Sequence, residues 1–152
     1  MVWEDIAMRL GVALLLGSAI GVERQWRSHY VGLRTNTLIT LGSSALIMFG
    51  LMLPAGDATA LGRMASQIIT GVGFLCAGVI FHEGITARGF NTAATLWCST
   101  AVGMFSGMGF FMAAAILAGF IILVNLFLRP IVYLINKRTA SEKPESPDYN
   151  VE

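Results

Sequence analysis

The chain has 152 residues, of which 55% are hydrophobic and only 12% charged, about half the charged share of an ordinary soluble domain. That balance excludes a soluble enzyme or a nucleic-acid-binding domain and leaves room for one small helical bundle in a membrane. The formal net charge of +1 hides an uneven spread: Arg24, Arg27 and Arg34 lie close together, and Arg88, Arg129, Lys137, Arg138 and Lys143 lie in the second half.

The N-terminus carries Glu4 and Asp5 where a cleavable secretory leader would be basic, so the first apolar segment is expected to be retained. That segment runs over 6–22, with Arg9 positioned to snorkel to the interface. Gly17 and Gly21 form a G-x-x-x-G pair suited to close helix approach. The basic connection that follows, Glu23 to Arg34, holds Trp26, His29 and Tyr30 and marks a cytoplasmic side by the positive-inside rule.

A second span is expected over 35–53. Its opening residues Thr35, Asn36, Thr37 and Thr40 are unusually polar and suited to turning an amide and hydroxyls inward. The turn around Pro54 to Thr59 leads to a third span over 64–81, where Arg63, Gln67 and Thr70 recur at helical spacing and make one polar stripe. Gly71, Gly73 and Gly78 on the same segment offer a small-residue packing surface.

The loop from His82 to Asn91 contains Arg88 and two glycines, and Asn91 is placed to cap a fourth helix over 91–107. In that helix Asn91, Thr95 and Cys98 fall at i, i+4 and i+7, and Gly103 and Gly107 repeat the four-residue glycine spacing. A fifth span covers 110–135, with Asn125 inside it and Tyr133, Lys137 and Arg138 as exit anchors. Residues 139–152 turn to Ser, Glu, Lys, Pro and Asp, the composition of a disordered cytoplasmic tail. The expected fold is therefore all-α: a transmembrane domain of about five helices over 1–138, N-outside and C-inside.

Catalytic chemistry finds no support. His29 and His82 fall in loops, Ser43 and Ser44 have no identifiable base, and no Walker motif is present. Cys76 and Cys98 lie in apolar runs and read as packing thiols rather than a metal cage.

Taken in order, Gly17-x-x-x-Gly21-Val22-Glu23-Arg24-Gln25, Val31-Gly32-Leu33-Arg34-Thr35, Gly71 to Gly78, and Gly89-Phe90-Asn91 through Trp97-Cys98 resemble the MgtC/SapB family over about 6–119. The resemblance implies a multi-pass protein of the bacterial inner membrane, linked to magnesium homeostasis, growth at low magnesium and virulence. Glu23, Arg24, Arg34, Thr35, Arg63, Asn91 and Cys98 match the family's polar positions. Cys76 stands where a glycine is usual, and the soluble C-terminal domain of longer members is expected to be missing.

Two roles stay open: a regulator that binds a partner, or a component that carries magnesium or another cation. The candidate functional cluster is Glu23, Arg24, Arg34, Thr35, Arg63, Gln67, Asn91, Thr95 and Cys98, with the stripes of the third and fourth helices facing each other across a cleft. Those intramembrane polar groups read equally as interhelical glue or as a site. Glu23 is foremost an ion-pair partner for arginine and secondarily a magnesium ligand, since Mg²⁺ needs oxygen donors that nearby cations oppose. No cofactor is required. The expected partners are the lipid bilayer and either further copies of the chain or another membrane protein, not nucleic acid.

Overall fold

The computed structural model describes residues 2–26, 31–53, 58–83 and 86–141. Arg27, His29 and Tyr30 of the basic connection, the turn residues 54–57 and the tail from 142 lie outside the described residues. Five helices occur among them: α1 (Trp3–Trp26), α2 (Leu33–Met52), α3 (Ala58–Val79), α4 (Phe90–Met108) and α5 (Phe111–Ser141). Among the described residues, α1, α2 and the Phe111–Leu128 part of α5 are long and apolar enough to cross a membrane. The chain divides into two compact units, Met1–Ile122 and Leu123–Glu152. In the second, α5 continues as helix to Ser141.

Within the first unit α2 and α4 lie side by side, with α1 and α3 each packed against both or along their flanks. What brings the helices together is the absence of side chains at four places. A Cβ on Gly17 would collide with the Thr40 side chain, and one on Gly21 would fall 2.6 Å from Leu33 Cα. From the other side, a Cβ on Gly103 would strike the Thr40 carbonyl, and one on Gly107 would fall 2.5 Å from the Ser44 carbonyl. So α2 is clasped between a glycine pair on α1 and a glycine pair on α4. In a bilayer, where apolar burial gives helices little drive to associate, such backbone contact supplies the dispersion energy.

Two apolar clusters flank this clasp. Ile20, Val102, Ala114, Ala118 and Ile121 join α1, α4 and the start of α5, while Val72, Cys76, Ala93 and Leu96 join α3 to α4. The reversal between α3 and α4 is an antiparallel ribbon, β1 (Phe81–Glu83) and β2 (Thr86–Arg88), with Phe81 opposite Arg88. It delivers the chain to Gly89, whose φ of 102° is left-handed and whose Cβ, if present, would strike the Val79 carbonyl. Gly89 is thus the N-cap of α4, without a side-chain cap. Asn91, expected there, instead lies in the first turn and is exposed, because the ribbon's return path requires a residue with no Cβ two positions earlier, at Gly89.

The far end of α4 closes as a Schellman motif. Gly109 adopts φ 86°, its N–H donates to Ser106, and Phe110 N–H donates to the Phe105 carbonyl at 2.9 Å. Arg9 of α1 completes this end: its Nη1 donates to the Gly107 carbonyl at 2.6 Å. Arg9 thus bonds within the bundle, at the end of α4. A helix C-terminus presents unpaired carbonyls and partial negative charge, and a guanidinium in the second turn of α1 meets both.

Candidate functional site

The interior of the clasp is polar. On α2, Asn36, Thr40, Ser43 and Ser44 are buried, and on α4 so are Thr95, Ser99, Thr100 and Ser106. Most of these hydroxyls are satisfied within their own helix: Thr40 donates to Asn36 O, Ser43 to Ile39 O, Thr95 to Asn91 O, and Ser106 to Val102 O, at 2.8–3.0 Å. A hydroxyl that bonds back to its own turn behaves in packing like a small apolar group.

Several side chains bond across from one helix to another, Asn36 and Arg24 among them. Asn36 donates through Nδ2 to the Gly32 carbonyl and accepts at Oδ1 from Ser99 Oγ at 3.0 Å. Ser99 Oγ also stands 2.9 Å from the Thr95 carbonyl, so its one proton is shared between the two acceptors. At the end where α1 finishes and α4 begins, Arg24 is 1% exposed and donates through Nη2 to Thr92 Oγ1 at 2.9 Å. Both carboxylate oxygens of Glu23 are shielded from solvent.

Removing the Asn36 side chain's partner tests this seam. Ser99→Ala removes the donor to Asn36 Oδ1, and a double-mutant cycle with Asn36→Leu in thermal unfolding is expected to give a coupling of about 0.6 kcal/mol, the average for such contacts in membranes. A coupling indistinguishable from zero means that the hydrogen bond does not join the helices.

The other expected site residues are distributed differently. Arg34 and Thr35 are exposed in the first turn of α2, and Asn91 is exposed in the first turn of α4. Thr95 is buried in the seam, whereas Cys98 is half-buried against Ile20, Val102 and Ala114 on another side of α4. Arg63, Gln67 and Thr70 are exposed on α3, and Gln67 borders a groove that α3 shares with Leu38, Ile39, Gly42 and Ser43 of α2. The cleft between the α3 and α4 stripes does not form. α3 turns Ile68, Val72 and Cys76 inward, an equally regular stripe on the opposite side of the same helix, and Cys76 Sγ donates to the Ala93 carbonyl at 3.2 Å. Gly71, Gly73 and Gly78 meet nothing within 4 Å, so they are not packing positions within the unit.

Ser43, Ser44, Ser99, Thr100 and Ser106 were missed as members of the interior. For Ser44 and Ser99 the signal was the four-residue recurrence of small polar and glycine positions, Asn36-Thr40-Ser44 on α2 and Thr95-Ser99-Gly103-Gly107 on α4. Among the described residues no three His, Cys, Asp or Glu side chains converge on a point.

With this arrangement in view, comparison with known proteins is decisive. The model of the MgtC family matches residues 10–134. The chain belongs to the MgtC family. Protein MgtC of Brucella abortus strain 2308 is 45% identical over 155 residues, covering 100% of this chain and 64% of that protein. Protein MgtC of Salmonella typhi is 44% identical, covering 91% of the chain and 58% of its own length. An uncharacterized Synechocystis protein is 43% identical over 90% of the chain. The chain thus spans about three fifths of the length of these relatives. No solved structure matches it. As an MgtC-family member with helices able to cross a bilayer, it is a multi-pass membrane protein.

Proposed function

We propose that this MgtC-family chain is a bacterial inner-membrane regulator of adaptation to low magnesium, which acts by binding another membrane protein at the end of the bundle where α1 finishes and α2 and α4 begin. The positive-inside pattern of the sequence supports a cytoplasmic location for that end, with the N-terminus outside. One observation carries the reading: Arg24 is withdrawn from solvent to hold the end of α1 against α4 through Thr92, while Arg34, Thr35 and Asn91 remain exposed on the two neighbouring first turns. A charge buried for positioning, beside polar groups left uncovered, is the construction of a rigid contact surface.

The clasp supports the same view over the alternative of a cation carrier. Four glycines bring three helices to backbone contact, and the buried guanidinium opposes a divalent cation along the same line. Two measurements test the proposal. In a deletion strain at low magnesium, Arg34→Ala, Thr35→Ala and Asn91→Ala are expected to fail to restore growth although each accumulates like the wild type. In sealed vesicles loaded with a magnesium-sensitive dye, the wild-type protein that restores growth is expected to pass no more Mg²⁺ than protein-free vesicles. Saturable flux above that background overturns the regulator reading in favour of transport.

A further inference from the structure

A groove runs between α2 and α3, with Leu38, Gly42 and Leu46 along one rim and Gln67, Gly71 and Leu75 along the other. Ser43, Ile68 and Val72 form its buried floor. Ser43 returns its hydroxyl to the Ile39 carbonyl at 2.8 Å, so that floor behaves as apolar surface. The two helices touch beyond the groove and part along it: a Cβ on Gly50 would fall 2.7 Å from Met64 Sδ, whereas one on Gly42 or Gly71 would meet nothing within 4 Å. The groove holds about 450 Å³ and runs along α3 from Met64 to Leu75, a rise of roughly 16 Å. Spread over that length, the volume gives a cross-section of roughly 30 Å², about a third of what a helix roughly 10–12 Å across would fill. A helix can lie over this groove but not within it. A single hydrocarbon chain fits, and the length matches half of an apolar slab about 30 Å thick, the reach of one leaflet.

At one end of the groove stands a cation. Arg34 lies one turn before Leu38, on the same stripe of α2 as Leu38, Gly42 and Leu46. It is exposed and has no hydrogen-bond or ion-pair partner among the described residues. Side chains lean toward the N-terminus of their helix, so its guanidinium is carried out of the apolar slab to the level of lipid phosphates. We propose that the groove holds one acyl chain of an anionic phospholipid from the leaflet on the Arg34 side, with Arg34 donating to its phosphate. An anionic headgroup fits better than a zwitterionic one, whose ammonium would come beside the guanidinium. The site shares Arg34 with the rim proposed above but needs no protein partner, and Gly42 and Gly71 lie outside that rim, so the two readings fail separately.

The test uses the full chain, purified in detergent, stripped of co-purified lipid and checked by thermal melt. Bound lipid is counted by native mass spectrometry during titration with phosphatidylglycerol and, separately, with phosphatidylcholine of the same acyl chains. The wild type is expected to take up one phosphatidylglycerol about fivefold more tightly than phosphatidylcholine, and Arg34→Gln to erase that preference. Gly42→Leu and Gly71→Leu, whose side chains enter the groove, are expected to weaken both lipids about tenfold, the loss of roughly two buried methylenes, with unchanged melts. Gly73→Leu, also in open space on α3 but outside the groove, is the control and is expected to bind like the wild type. Phosphatidylglycerol with a photoreactive acyl chain is expected to label the wild type within 38–46 or 64–75. Wild-type affinity in both groove variants, equal loss at Gly73, a preference that survives Arg34→Gln, or labelling only elsewhere would each overturn the assignment. So would displacement of the lipid by equimolar glycerol phosphate, which carries the phosphate without a chain, or a dimer that Gly42→Leu dissociates while no lipid is bound.

Discussion

Gly103→Leu is expected to prevent the folded bundle from accumulating, and Gly107→Leu to do nearly as much. The obstacle at Gly103 is main chain, the Thr40 carbonyl and Cα, with the Ser43 side chain alongside; at Gly107 it is the Ser44 main chain. A flexible side chain yields to a new methyl group, but a helix backbone moves only by displacing the whole helix. Displacing α2 from α4 also parts Asn36 from Ser99 and disturbs the contact of α2 with Gly17 and Gly21. Even Gly103→Ala is expected to cost about 1–3 kcal/mol by overpacking, and the branched side chain several times that of a tolerated substitution. Thermal melts in detergent and resistance to proteolysis provide the measure. Gly11→Leu and Gly119→Leu, whose new side chains enter open space, are the controls and are expected to melt with the wild type. Equal loss at all four positions would mean that helix propensity, not the clasp, governs the effect.

Arg24→Met is the second large effect. The guanidinium is almost fully buried and its hydrogen bond to Thr92 ties the first helix to the fourth. A hydrogen bond to a charged group contributes about 1.5–3 kcal/mol, and Thr92 loses that partner. Arg24→Lys keeps the charge but not the planar fork, so it is expected to fall between the wild type and Arg24→Met. The decisive comparison pairs stability with growth at low magnesium: both variants lose function in proportion to lost folding, whereas Arg34→Ala loses function with the melt unchanged. Should Arg24→Met melt with the wild type, the buried cation does not organise this end of the bundle.

How much of this was legible in advance varies by residue type. The helical membrane architecture follows from long apolar runs punctuated by charge, a pattern with few alternative folds in lipid. Gly17 and Gly21 stood out by their spacing and do face α2. The polar opening of the second helix likewise drew attention, and Asn36 and Thr40 do point inward. Helical spacing groups Arg63, Gln67 and Thr70 on one face but says nothing of which neighbour that face meets, and on α3 the stripe of Ile68, Val72 and Cys76 is equally periodic. Serines in an apolar helix escape notice because they bond to their own backbone, so Ser99 and Ser106 carried no distinguishing composition. The bond from Arg9 to the Gly107 carbonyl was not legible, because that acceptor lies 98 residues away in sequence.

That separation bears on the order in which the molecule can be built. Both arginines of α1 find their acceptors on α4, at distances along the chain of 68 and 98 residues. At translation rates of about 5–20 residues per second, the earliest helix waits on the order of ten seconds before these two acceptors emerge from the ribosome. During that interval the first hairpin lacks the contacts that α4 makes with both of its ends, so the helical unit closes only when the fourth helix arrives.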